Sequence, residues 1–480
     1  MNDSPLTEDE IIEQRRKRRL EILKKHQAQD PKPIPSQAST TDNPTSKVTE
    51  NDIKPNVEQP ETERPSFDKQ HYNDENDSTL KRPGSSEPIF EKVSEGNDED
   101  EDEGDDMFAD SPLPTHKKRK TEKKPSAVKR SLAGMQDTWD DVEGYYKVIL
   151  MEELDSRYLV QSNLGKGMFS SVVNVLDQKT KASFAIKIIR NNEVMYKAGM
   201  KELSILERLQ AADPEGRRHI IRYDRYFMHK NHLCMVFEML SLNLRDILKK
   251  FGRNVGLNIK AIQVYAYQMF TALQLLEECN IIHADIKPDN MLVNEKRNIL
   301  KICDLGSASD AAENEITPYL VSRFYRAPEI ILGYPYSCPI DTWSVGCSLF
   351  ELYAGQILFP GRSNNQMLKL MMECKGKFSH KMLKRSQFAF DNFDENFNFI
   401  NKEIDHISGQ ETHRILNFNK PARDIKFRLK DVVASTNEEV VIQQVFILLL
   451  EQCLELNPEK RITPKQALKH PFFKNSRPFR

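Results

Sequence analysis

No cysteine in this chain forms a CxxC or CxH pair with a neighbour, and the seven cysteines all lie in the second two-thirds of the sequence. An odd, scattered set excludes a disulfide framework and a structural zinc site, and it fits a reducing compartment. Long apolar runs are also missing. None reaches the roughly 20 residues that span a bilayer, and the nearest candidate, Val440 to Leu450, is interrupted by Gln443 and Gln444. The first residues, Asn2, Asp3 and Ser4, open onto no apolar core, so no secretory signal is expected. These absences describe a soluble, intracellular protein with no membrane partner. Net charge is scarce too: 70 Lys+Arg against 72 Asp+Glu leave −2, so the chain as a whole is no polycation built for nucleic acid. Any such role must come from local patches.

Apolar periodicity is almost absent from residues 1–135, which are rich in Pro, Ser, Thr, Asn, Glu and Lys. Such a segment cannot bury enough surface to offset its chain entropy and is expected to be disordered. Three islands interrupt it. Thr7 to His26 begins with a capping-box pattern (Thr7, Glu10) and turns basic from Arg15 to Lys25. It reads either as a solvated, partly formed helix or as a helix that docks on a partner protein or RNA. Asp98 to Asp106 holds eight acids in nine residues and is expected to solubilise. His116 to Lys120, followed by Lys123, Lys124, Lys129 and Arg130, reads as a nuclear import signal or a nucleic-acid patch.

What is present begins near Trp139. Alternating and β-branched runs at Val172–Leu176, Phe184–Ile189 and Leu233–Phe237 predict strands. Past Leu240 helical patterns dominate, as at Ile259–Leu276 and Asp341–Tyr353. A β-rich segment followed by a longer helical one predicts an α+β, two-lobed architecture. Its expected parts are an extension over 136–157, a smaller lobe over 158–240, a larger lobe over 241–473 with an insert at about 361–430, and a short tail over 474–480.

Several short motifs carry chemistry. Leu164-Gly-Lys-Gly-Met-Phe-Ser-Ser-Val172 is a glycine-rich turn between two strands. Gly165 and Gly167 can bring backbone N–H groups to phosphate oxygens, while Lys166, Met168, Phe169, Ser170 and Ser171 complete the turn. Alone, two glycines in a hairpin mean only a tight turn. Lys187 ends the apolar strand Phe184-Ala-Ile-Lys187, an odd place for an ammonium unless partners meet it. ATP phosphates are one partner and a helix-borne glutamate the other; Glu202 has the favoured spacing and Glu207 is its rival.

The decisive stretch is Ile281-Ile-His-Ala-Asp-Ile-Lys-Pro-Asp-Asn-Met-Leu-Val293. Phosphoryl transfer needs positioning and charge neutralisation more than covalent help. Asp285 is placed to take or orient the proton of an acceptor hydroxyl, Lys287 to neutralise the moving phosphate, and Asn290 to ligate magnesium. Cys303-Asp-Leu-Gly306 supplies Asp304, a second magnesium ligand. Ala327-Pro-Glu329 closes the intervening segment, with Glu329 expected to pair with Arg461, and Asp341 is expected to anchor the catalytic loop as scaffold. Phe237 to Leu240 reads as the link between lobes, with backbone groups of Glu238 and Leu240 on an adenine base and Phe237 behind it.

In this order and spacing, the motifs resemble eukaryotic serine/threonine protein kinases over about Tyr158 to Phe473. Two departures stand out: Ser170 replaces the third glycine of the loop, and Leu305 replaces the Phe of the Asp-Phe-Gly motif. Thr317-Pro-Tyr319, Val321 to Glu329 and the insert after Gly361 resemble the CMGC group. Asp140 to Lys147, His283-Ala-Asp285 and Asp304 to Ser309 resemble, within it, the pre-mRNA-processing-factor-four kinases. That resemblance implies ATP and Mg2+ as cofactors, a nuclear location, a monomeric kinase domain, and splicing factors of the U4/U6·U5 particle as substrates. Association with RNA would then be indirect, through the spliceosome. Ala284 stands where many kinases carry an arginine that grips a phosphorylated activation segment. The resemblance therefore suggests Tyr319 phosphorylated in cis, its charge held by Arg323 and Arg326, with Thr317 as the rival site. The alternatives are a catalytically weak kinase-fold scaffold, or an adaptor acting through the tail.

Overall fold

The structure is a computed structural model that describes residues 139–474 apart from 142, 254, 314–315, 405–409 and 433–435. The tail expected over 1–135, its three islands, and the chain beyond 474 lie outside the described residues.

The smaller lobe is a six-stranded antiparallel sheet with one long helix on a face. In chain order its elements are β1 (Glu153–Leu154), β2 (Tyr158–Lys166), β3 (Ser170–Asp177), β4 (Ser183–Ile189), helix α1 (Glu193–Ala212), β5 (Tyr223–His229) and β6 (His232–Glu238). The strands lie in the order β1-β2-β3-β4-β6-β5. Period-two alternation sorts their side chains between two cores. Val173, Val175, Ile186, Ile188, Cys234 and Val236 face an outer core with Tyr146, Tyr158 and Phe227. Ile189, Leu233, Met235 and Phe237 face α1 and join the main core. Lys187 lies between Ile186 and Ile188, so the same alternation turns it to the α1 side.

Helix α1 starts where the Asn192 side chain accepts a bond from the Val194 amide at 2.8 Å. It buries Glu202, Leu203, Ile205, Leu206 and Leu209 on one stripe. That stripe sets Glu202 beside the sheet.

The extension ahead of β2 is part of this lobe. Asp140 bridges to Tyr146, and Tyr146 is buried in the outer core. Asp140 also takes a 2.6 Å bond with the buried His232 ring, whose other nitrogen meets the Ile189 carbonyl at 2.7 Å.

The larger lobe is mainly helical: α2 (Leu244–Ile247), α3 (Ile259–Glu278), α4 (Pro328–Leu332), α5 (Pro339–Ala354), α6 (Asn364–Lys375) and α7 (Asn437–Cys453), with three further short helices at His380–Lys384, Ile425–Arg428 and Pro464–Ala467. Asn258, Ser363 and Thr436 cap three of these helices through their side chains. Helix α5 begins with Pro339 and ends at Gly355, which sits at φ 73°, a stop that favours glycine. All of α5 but its first residue is buried, so it forms the axis of the lobe. Short strands β7 (Ile281–Ile282), β8 (Met291–Val293), β9 (Leu300–Ile302) and β10 (Ser309–Asp310) frame the loops between α3 and α4. The insert carries the hairpin of β11 (Phe399–Ile404) and β12 (Glu411–Leu416). Of its aromatics, Phe393 is core, whereas Phe390 is exposed and stacks on Phe397. The expected strands and helices are found, each extended by a residue or two at its ends, and the architecture is the α+β, two-lobed one.

All seven cysteines are free. Among the described residues no helix is long and apolar enough to cross a membrane.

Candidate active site

Two knots of polar side chains face each other across the junction of the lobes. The first is built on Lys187. Register places it opposite Val172 on β3 and Met235 on β6, in the middle of the sheet. Its ammonium donates to both Glu202 oxygens at 2.7 and 2.9 Å and to Asp304 Oδ1 at 2.8 Å. Burial pushes against the charge on Lys187, but Glu202 and Asp304 outweigh it and keep the amine protonated. The same ammonium is the main reason that the Asp304 carboxyl is held down at about 2. Asp304 is at φ 60° in the left-handed region, and its side chain is half-exposed. A Cβ added at Gly306 would sit 3.3 Å from Asp304 Oδ1, a slightly tight approach, and in ordinary contact with Glu202 and Lys187 at 3.5 and 3.6 Å, so the glycine lies directly against this knot. Glu207, the rival glutamate, lies on the exposed side of α1.

The second knot is the loop between β7 and β8. Asp285 accepts the Asn290 amide on one carboxylate oxygen at 3.0 Å, and Lys287 meets the same oxygen at 3.0 Å. Its other oxygen accepts the Ser322 hydroxyl at 2.7 Å, and Lys287 also reaches Ser322 at 3.2 Å. The loop is held from beneath. Asp341, in the first turn of α5, accepts the amides of His283 and Ala284 at 2.7 and 3.0 Å. Burial pushes the Asp341 carboxyl up, and His283 with those amides counters it. His283 accepts the Asp285 amide on Nδ1 and so donates from Nε2 to the Cys303 carbonyl at 3.0 Å. With Cys303 N donating to Asn290 O at 3.0 Å, His283 and Asn290 tie the two knots together.

The glycine-rich turn covers this junction. Gly167 N donates to Ser170 O at 2.8 Å. A Cβ at Gly165 would meet no protein atom within 4 Å, and one at Gly167 only Ser170 O at 3.9 Å. Packing therefore does not require these glycines, and the room fits an approaching phosphate. Ser170 and Ser171 are buried at the start of β3, whereas Leu164 and Met168 are exposed. The donor set also fits magnesium. Asn290 commits its amide nitrogen to Asp285, leaving the oxygen as the end able to ligate, and the half-exposed Asp304 adds a carboxylate. One or two protein oxygens plus substrate phosphates is how Mg2+ is usually held. At the lobe link Glu238 pairs with Lys301 of β9 at 2.6 Å, Phe237 is buried and Leu240 half-buried.

The expected regulatory residues lie along the segment before α4. Tyr319 is 51% exposed, and the Arg326 guanidinium lies 5.9 Å from its ring centre. Arg326 bonds the carbonyls of Leu320 and Val321 at 2.8 and 2.9 Å and Asn364 Oδ1 at 2.6 Å, fastening the segment without a phosphate. Val321 is strained at φ 69°, a costly conformation for a β-branched residue. Arg323 donates to the Arg362 carbonyl at 2.7 Å, and Thr317 is half-buried. Ala284 is buried at φ 62°.

Residues 158–473 match the protein kinase domain family. The chain belongs to the protein kinases. It is 65% identical over 485 residues to the serine/threonine-protein kinase prp4 of Schizosaccharomyces pombe, covering 98% of this chain and 99% of that one. It is 46% identical over 343 residues to the serine/threonine-protein kinase prpf4B of Dictyostelium discoideum, covering 71% of this chain and 42% of the relative. Dual specificity tyrosine-phosphorylation-regulated kinase 3 of Rattus norvegicus is 36% identical over 349 residues, 71% of this chain and 58% of that one. The protein is thus a serine/threonine kinase of the prp4 type, related to the dual-specificity tyrosine-regulated kinases.

Two contacts of this kinase site have no counterpart in the motif reading. Ser322 lies inside a quoted motif, yet its bond to Asp285 spans 37 residues of sequence and nothing local announces it. Tyr145, from the extension, places its hydroxyl 2.9 Å from the Gly167 carbonyl and 3.0 Å from that of Met168. Lys166 Nζ lies 3.7 Å above its ring and the Arg190 guanidinium 4.4 Å from it. The extension thus holds the tip of the glycine-rich turn from outside. Tyr145→Phe keeps the ring and both cations and removes one hydrogen bond. Its expected effect is a two- to tenfold rise in KM for ATP, from about 0.5–1.5 kcal/mol, with kcat changed less than about twofold. Steady-state kinetics with ATP varied decides it, and an unchanged KM would show that the bond does not steady the loop.

Proposed function

We propose that this kinase transfers the γ-phosphate of ATP to serine and threonine residues of nuclear splicing factors, those of the U4/U6·U5 particle, in pre-mRNA splicing and spliceosome activation. The reading is carried by the 65% identity to prp4, which extends through the amino-terminal third as well as the catalytic domain. The resemblance of Asp140 to Lys147, His283 to Asp285 and Asp304 to Ser309 to the pre-mRNA-processing-factor-four kinases supports it.

In this reading Asp285 accepts or orients the proton of the acceptor hydroxyl and Lys287 neutralises the phosphoryl group in transit. Ser322 keeps both in register between turnovers. Lys187, fixed by Glu202, holds the α- and β-phosphates, under the turn from Leu164 to Val172. Asn290 and Asp304 would hold magnesium, which would supply neutralisation of the phosphate charge. Backbone groups of Glu238 and Leu240 receive the adenine.

The test is phosphoproteomics after acute inhibition in cells, beside purified full chain incubated with magnesium, labelled ATP and U4/U6·U5 particles, with Asp304→Ala as control. Loss of splicing-factor phosphosites on inhibition, and labelling absent with Asp304→Ala, is expected. Labelling that persists with Asp304→Ala would favour a tail-borne adaptor carrying a second kinase; unaffected splicing factors would refute the assignment.

Phosphorylation of Tyr319 in cis belongs to the same reading. Arg326 lies against the tyrosine, and Arg323 is four residues from it, so a phosphate there would gain charge-assisted bonds. Tyr319→Phe is expected to lower kcat/KM about tenfold or more, since such bonds contribute about 1.5–3 kcal/mol. Full activity of Tyr319→Phe in a phosphate-free preparation would move the role to Thr317 or remove it.

A further inference from the structure

Arg245 is the second residue of α2, just past the lobe link, and the motif reading gave it no role. Its Nε donates to both oxygens of Asp289 at 2.9 and 3.0 Å, Nη1 to Glu351 at 2.6 Å, and Nη2 to the Tyr325 hydroxyl at 2.6 Å. The same hydroxyl donates to the other Glu351 oxygen at 2.6 Å. Two carboxylates and a phenol thus form a cradle shaped to a planar guanidinium fork. Two negative charges against one positive leave it at −1 with Arg245 in place and −2 without it. The cradle is not sealed. Glu351 is 3% exposed at its floor, whereas Asp289 is 40% exposed and opens it to solvent.

The position is as informative as the chemistry. Asp289 follows Asp285 by four residues in the same loop, so their Cα atoms are at most about 14 Å apart. Tyr325 follows by three residues Ser322, whose hydroxyl sits on Asp285. An extended peptide whose acceptor lay at Asp285 would cover that distance within about four residues, and an arginine side chain would shorten the need further. A cradle for guanidinium therefore lies within reach of the peptide, already filled from the enzyme's own chain.

We propose that Arg245 is a specificity-determining residue, a built-in occupant of an arginine subsite that makes this kinase indifferent to arginine beside the acceptor. The proposal rests on the reading of Asp285 as the point where the acceptor hydroxyl sits. A purely structural staple would have the same bonds but would not move substrate preference, and that difference can be measured.

The full chain is assayed with serine peptides in which each of the four positions on either side of the acceptor is set in turn to Arg or Ala. The readout is the Arg/Ala ratio of kcat/KM within one variant, so any general loss of activity cancels. Wild type is expected to give ratios within about twofold of one at every position. Arg245→Ala is expected to raise the ratio about tenfold or more at one position, as a vacated pair of carboxylates takes the substrate's guanidinium. Arg245→Ala combined with Asp289→Asn should return most of that gain. Because Arg245→Ala leaves Glu351 buried without its cation, Arg245→Gln serves as the milder variant, which keeps a donor but no charge. A strong arginine preference already in wild type, a flat ratio in either active variant, or failure of both variants to fold would overturn the proposal. Asp285→Asn run on the same peptides keeps the two readings apart: persistent activity there would refute the placement of the acceptor, not the occupancy of the cradle.

Discussion

Asp285→Asn is expected to lower kcat by about 10²–10⁴-fold, the range a general base contributes, while KM for ATP changes less than about twofold. The substitution is close to isosteric, and its surroundings accept it. In the native loop one oxygen of Asp285 takes the Ser322 hydroxyl at 2.7 Å, and the other takes Asn290 at 3.0 Å and Lys287 at 3.0 Å. An asparagine can turn its oxygen to Asn290 and Lys287 and its amide to Ser322, which then accepts. The loop also keeps its anchors on Asp341, which holds the amides of His283 and Ala284 and does not depend on Asp285. What vanishes is a group able to take a proton. In the proposed reading nucleotide binding rests on Lys187, Glu202 and the glycine-rich turn, in a separate knot of side chains, so KM for ATP has little reason to move. Steady-state kinetics with peptide and ATP varied separately tests both halves. A kcat within tenfold of wild type would refute the placement of the acceptor hydroxyl at Asp285, and a large rise in KM for ATP would mean that the two knots are more tightly coupled than their contacts imply.

Much of this site was legible because its parts are local. Asp285, Lys287 and Asn290 fall within six residues, and the chain needs only one tight loop to bring them together. Lys187 could be placed because an ammonium at the end of an apolar strand demands partners, and Glu202 because the helix stripe that buries Leu203 and Leu206 carries it inward. The pair of Glu329 with Arg461 and the anchor role of Asp341 were expected from the motifs, and the geometry contains both contacts. Contacts made by register or by distant packing were not legible. Ser322 reaches Asp285 across 37 residues, Tyr145 reaches Gly167 across 22, and Arg245 reaches Glu351 across 106. Each of these residues belongs to a type common on protein surfaces, and no spacing marks it. The extension shows the same limit: its Asp140 and Tyr146 gain meaning only once the sheet has put His229, His232 and Lys230 beside them.

Ala284 sharpens what the activation segment must do for itself. With no arginine at that place, the segment is fastened from the other side by Arg326, through backbone carbonyls and Asn364. Arg326 is itself buried, and Ser344 holds the neighbouring Tyr325 carbonyl at 2.8 Å. The segment can thus present Ser322 to Asp285 before any phosphate arrives, while the strained Val321 stores part of the cost.

Arg461→Met is expected to destabilise the kinase domain by about 3–5 kcal/mol, a large share of the roughly 5–15 kcal/mol that holds most domains folded. Both side chains of the Arg461–Glu329 pair are fully buried, with two parallel bonds of 2.6 and 2.9 Å. The remaining donors of Arg461 are spent on the carbonyls of Pro339 and Glu455 at 2.8 to 3.1 Å, and its guanidinium lies 5.2 Å from the centre of the Trp343 ring. Methionine fills similar volume but satisfies none of these groups, so the Glu329 carboxylate stays buried without a partner. The loss falls on Pro328–Leu332, the helix that ends the activation segment, and on the start of α5. Activity should therefore fail at a lower temperature than the bulk of the fold. Chemical denaturation of the full chain measures the first effect and residual activity after graded heating the second. Glu329→Gln combined with Arg461→Met should recover part of the loss, because a neutral amide costs less to bury than a lone carboxylate. A cost below about 1 kcal/mol, the value of a surface ion pair, would mean that water reaches this pair and that the segment is anchored elsewhere.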